Sequence, residues 1–64
     1  MELEEARYIV AIRGGMVVHR APDSRAMAKL IQPETNASVE TIARSIRKRI
    51  DTGILYAGYL FVEI

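Results

Sequence analysis

The side chains best suited to chemistry are cations, and they crowd into one stretch, Ser38 to Ile50, which reads SVETIARSIRKRI. Arg44, Arg47, Lys48 and Arg49 stand there against a single acid, Glu40. Such a set is fit for gripping phosphate. On a 3.6-residue period Val39, Ile42, Ala43, Ile46 and Ile50 fall on one narrow face. Thr41, Arg44, Ser45 and Lys48 fall on the opposite face, flanked by Arg47 and Arg49. The stretch is expected to form an amphipathic helix with an apolar stripe for a core and a basic outer face. Ser38 suits its N-cap, because a hydroxyl there can accept a bond from an otherwise unpaired amide of the first turn. Gly53 stands shortly after the last apolar position, where a helix usually stops.

The other residue types argue against catalysis. His19 is the one histidine, and a lone histidine lacks the orienting acid and nucleophile that a triad requires. None of the eight acids falls at the spacing of a metal site or a general acid–base pair, and there is no cysteine. Gly14-Gly15 lacks the lysine, the third glycine and the following helix of a phosphate-cradling loop. A chain this short also leaves little room for a pocket of drug-like size. No catalytic residue, metal or cofactor is expected.

The elements that position the basic stretch belong to one small domain, residues 1–64. A domain of this length buries only about 60% of the surface its unfolded chain exposes, and no disulfide is available to help. Half the residues are hydrophobic, which favours an apolar surface shared with a partner, a second copy among the candidates. The net charge of +1 does not by itself suggest nucleic acid, but its distribution is uneven. Glu2, Glu4 and Glu5 open the chain, so an acidic end and a basic helix are expected. The N-terminus lacks a signal-peptide pattern and the longest apolar run, Ile54 to Val62, is too short for a bilayer. The expectation is a soluble, cytoplasmic protein with no membrane contact. On that reading the Asn36-Ala37-Ser38 sequon has no meaning.

Met1 to Arg7 reads as a loose acidic arm or a short lead-in. Tyr8 to Ile12 and Met16 to Arg20 read as strands, joined by the Gly14-Gly15 pair that a type I′ hairpin turn favours. Asp23 or Ser24 can cap a helix over Arg25 to Ile31, where Met27, Leu30 and Ile31 make one face. Pro33 is expected to end it by pushing Gln32 out of helical geometry. Gln32 to Ala37 then connects to the basic helix. Gly58 to Ile64 alternates, with Tyr59, Phe61 and Glu63 on one side and Leu60, Val62 and Ile64 on the other. Ile54 to Tyr56 is a further short strand or an extended approach. The fold class is α+β: an N-terminal β-hairpin, two helices on one sheet face, and a C-terminal strand completing a small antiparallel sheet.

Two consecutive helices, the second capped and basic, are the parts of a helix-turn-helix, whose second helix enters the major groove. Thr41, Arg44, Ser45 and Lys48 would face bases; Arg47 and Arg49, with Lys29 and Arg20, would hold phosphates. The plainer alternative is a solvated helix whose arginines keep the protein soluble. The segment from Ser24 to Phe61 resembles a nuclease-associated modular domain of the first type, a DNA-binding module found beside homing-endonuclease catalytic domains. The matching residues are Ser24 to Ala28, Ala37 to Lys48, Thr52-Gly53 and Tyr56 to Phe61. The resemblance implies sequence-specific contact with double-stranded DNA through the second helix. Two features depart from the pattern. Gln32 to Ala37 is longer than a tight helix-turn-helix turn, and no nuclease is attached. A free-standing module of this kind would be a small phage or mobile-element regulator. The other reading is a phage-type inhibitor or adaptor that grips a protein through its basic helix and the aromatics Tyr56, Tyr59 and Phe61. The plainer reading of those aromatics is that they fill the core between strand and helices, and Phe61 at least is expected there.

Overall fold

The computed structural model describes residues 7–64. Of the acidic lead-in, Met1 to Ala6 lies outside the described residues. Strand β1 (Ile9–Arg13) turns through Gly14-Gly15 into β2 (Met16–Ala21), as the two glycines require. Their φ angles are 62° and 80°, a left-handed pair that is strained for residues with a Cβ. Helix α1 (Ser24–Ile31) and helix α2 (Val39–Arg49) follow, and β3 (Leu60–Glu63) returns to pair with β1. The sheet is antiparallel throughout, in the order β2-β1-β3. The expected α+β architecture is therefore present.

Cross-strand partners share a sheet face, so register decides what each face carries. Ile9 lies opposite Ala21 and Glu63, and Ala11 lies opposite His19 and Phe61. These residues form the helix-bearing face. Ile9, Ala11, Ala21 and Phe61 join Met27, Ala28 and Ile31 of α1 and Ile42, Ala43 and Ile46 of α2 in one core. The opposite face carries Val10, Ile12, Val17, Arg20, Leu60 and Val62, and backbone bonds between Tyr8 and Ile64 extend it. No described helix covers that face. It is mainly aliphatic, with Tyr8 under Arg20 at one end, because Tyr59 and Phe61 point to the core and are buried. Phe61 fills the core as its plainer reading has it, and Tyr59 joins it there; of the three aromatic anchors of the protein-gripping alternative only Tyr56, half-buried against the core, is not interior.

Two local expectations also change. Gln32 keeps right-handed helical angles, φ −52° and ψ −39°, and donates its N–H to Ala28. Pro33 then sits at the start of a single 3-10 turn, Gln32–Glu34, where a missing N–H breaks no helical bond. The helix ends by tightening, not by Gln32 leaving helical space. Ile54 and Leu55 form no strand and are exposed, and Tyr56 pairs only with Tyr59 across a tight turn. Strand β3 accordingly starts at Leu60, later than the Gly58 the alternation suggests.

Candidate nucleic-acid interface

Helix α2 is fixed at its start and along one side. The Ser38 hydroxyl accepts the Thr41 N–H at 3.2 Å, which caps the helix as its sequence position requires. Ser38 Oγ also donates to Thr41 Oγ1 at 3.1 Å. Ile42 and Ile46 are fully buried and Ala43 nearly so, with Val39 and Ile50 packed against the core. Between them these contacts leave α2 a single outward face.

That face divides into two groups. Thr41, Arg44 and Lys48 are exposed and Ser45 is half-buried, a stripe at i, i+3, i+4 and i+7. It runs about 10 Å along the helix. Among the described residues no hydrogen bond or ion pair engages the side chains of Arg44 or Lys48. Arg47 and Arg49 are each bonded within the protein. Arg47 Nη1 donates to Ser24 Oγ at 2.9 Å, tying α2 to the first turn of α1. Arg49 Nη1 donates to the Ser45 carbonyl at 3.2 Å, and its guanidinium lies 5.2 Å from the Tyr56 ring centre. Lys29 is exposed in the last turn of α1. Arg20 lies on the helix-free sheet face, 4.5 Å over the Tyr8 ring, so it does not share a surface with α2.

The one acid of the face is neutralised from outside the helix. Arg25 Nη1 donates to Glu40 Oε2 at 2.9 Å. That bond, followed by the charges of Arg25, Arg44 and Arg47, holds the Glu40 carboxyl below the usual carboxylate range. Among the described residues the outer surface of α2 therefore carries an excess of positive charge.

No protein-family model matches this chain, and no curated protein or solved structure matches it.

A second polar cluster has no counterpart in the sequence reading. Tyr59 Oη donates to Glu34 Oε2 at 2.7 Å, and Arg13 Nη2 donates to Glu34 Oε1 at 2.7 Å. The Arg13 guanidinium lies 4.1 Å over the Tyr59 ring, and His19 Nε2 lies 3.5 Å from Tyr59 Oη. Glu34 belongs to the 3-10 turn between the helices, so the cluster clamps that turn to the hairpin and to the residue preceding β3. The Tyr59 hydroxyl, then Arg13, hold the Glu34 carboxyl below its ordinary range. Burial, then the bond to Glu34, push the Tyr59 phenol up. The partners are 21 and 25 residues apart in the chain, beyond any periodic signal. The cluster is a positioning device: it sets where α2 begins relative to the sheet. Among the described residues no group of three or more His, Cys, Asp or Glu side chains is placed to hold a metal, and no helix is long and apolar enough to cross a membrane.

Proposed function

We propose that this protein binds double-stranded DNA through α2, with Thr41, Arg44, Ser45 and Lys48 facing the major groove. The observation that carries the reading is the sorting of the basic face. Arg47 and Arg49 are bonded within the protein, whereas Arg44 and Lys48 stand on an exposed stripe with hydroxyl side chains beside them. Arginine at such a position can bond guanine bidentately, lysine can reach a base edge or a phosphate, and Ser and Thr accept several partners. The major groove, about 12 Å wide, admits a helix of this kind. The order of the two helices and the likeness of Ser24 to Phe61 to the nuclease-associated module support the same reading. On this reading the protein is a helix-turn-helix-like regulator of transcription in a phage or mobile element.

Fluorescence anisotropy with a mixed pool of labelled duplexes tests it. Arg44→Ala/Lys48→Ala is expected to abolish binding, and Arg20→Ala, on the helix-free face, to leave it unchanged. Equal binding by the parent and the double variant would overturn the assignment to α2.

A further inference from the structure

Glu40 is bonded by a guanidinium of the other helix, and Arg44 and Arg47 follow it on its own. Arg25, in the first turn of α1, bonds its carboxylate directly at 2.9 Å. Arg44 occupies the i+4 position from Glu40 on α2, the neighbour above it on the same face. Arg47 lies nearly one turn further, and its Nη1 is held at 2.9 Å by the hydroxyl of Ser24, the residue just before Arg25. The start of α1 thus lies along α2, with Arg25 bonded to Glu40 in its first turn and Ser24 to Arg47 in its last. The Glu40 carboxylate feels the charge of all three arginines. Three cations to one anion leave this surface in excess positive charge. Its central pair is open to solvent, with the Arg25 and Glu40 side chains 60% and 68% exposed.

We propose that Arg25, backed by the charges of Arg44 and Arg47, forms a clamp for one phosphate of the nucleic-acid backbone, and that the Glu40 carboxylate occupies it in the free protein as an internal substitute. The inference rests on the DNA-binding reading of α2 and adds to it a contact from α1. A carboxylate and a phosphodiester each offer two oxygens to a planar guanidinium, so one can replace the other on Arg25 without rebuilding the site. Duplex DNA presents a negative charge about every 1.7 Å along its axis, which supplies a phosphate beside any helix lodged in the groove. On entry the phosphate displaces Glu40 from Arg25, and the carboxylate swings to solvent. Glu40 therefore competes with the backbone and weakens contacts that carry no sequence information.

The test is duplex binding across a salt series for the parent, Glu40→Gln, Arg25→Ala, the pair combined, and Arg44→Ala/Lys48→Ala, with each variant's thermal melting as a check of folding. Glu40→Gln is expected to bind several-fold tighter, with a log–log salt slope steeper by up to about one. Arg25→Ala is expected to bind several-fold weaker with a shallower slope. In the combined variant the gain from Glu40→Gln should vanish, because its route is through Arg25. An equal gain with and without Arg25 would mean a long-range charge effect and would overturn the clamp. Unchanged affinity in both single variants, with binding lost in Arg44→Ala/Lys48→Ala, would overturn the clamp and leave the DNA-reading helix standing. Absence of parent binding at low salt would remove both.

Discussion

Tyr59 meets side chains of both hairpin strands, of β3 and of the turn between the helices. Its ring is buried beside Phe61, at 6.0 Å between centres, while its hydroxyl reaches Glu34 in the turn between the helices. The Glu34 carboxyl is depressed in the folded protein by that hydroxyl and by Arg13. A carboxyl with a lowered folded value contributes stability that is complete above its unfolded value, about pH 4.3, and is lost as pH falls through the folded one. The melting temperature should accordingly drop on acidification below about pH 4.3, and Glu34→Gln should flatten that part of the profile. A variant whose acid profile follows the parent would show that the cluster contributes nothing. Tyr59→Phe should lower the melting temperature more at pH 7 than in strong acid, since protonation of Glu34 removes the carboxylate that the hydroxyl bonds. At the start of α2, Ser38→Ala should cost about 1 kcal/mol, read from chemical denaturation, because the Thr41 amide loses its acceptor.

At the scale of elements, the two helices stand on their apolar stripes and the sheet on its register. Ile46 is fully buried between α2 and the rest of the core, so Ile46→Ala should cost about 2–5 kcal/mol. That is a large share of the stability of a small domain. Asp51 guards an edge. Its N–H donates to the Phe61 carbonyl at 3.0 Å and its carboxylate accepts the Glu63 N–H at 3.2 Å, occupying outward groups of β3. It does so at φ 61°, a left-handed conformation that Asp and Asn tolerate better than most residues. Asp51→Ala should cost about 1 kcal/mol by denaturation, and Asp51→Asn, which keeps an acceptor oxygen, should cost less. The hairpin, both helices and the final strand were legible in the sequence because each is written in local terms. Gly14-Gly15 marks the turn, Ser38 the cap, and Ile42, Ala43 and Ile46 the buried stripe. The Asp51 cap and the Arg13–Glu34–Tyr59 cluster were not legible, since their partners meet only once the sheet closes. Within the basic face, spacing set Arg47 and Arg49 at the flanks of the Arg44–Lys48 stripe and gave them to phosphates. That they brace the protein was not legible, because Ser24 and Tyr56 reach them only in the folded chain.

The whole molecule is two-sided. One side offers the outer surface of α2, with Arg44 and Lys48 outward and Glu40 held by Arg25; the other offers the sheet face of Ile12, Val17, Arg20, Leu60 and Val62. A net charge of +1 understates the field on the first side, because it averages the basic helix with acids elsewhere in the chain. If α2 lies in a DNA groove, its cations release counterions and affinity falls linearly in log–log terms with salt. The most direct test of the DNA-reading helix is therefore the salt dependence of duplex binding by the parent protein. A slope of about −3 to −5 is predicted, the signature of roughly three to five phosphate contacts. Binding that is absent at low salt, or that does not weaken as salt rises, would contradict it.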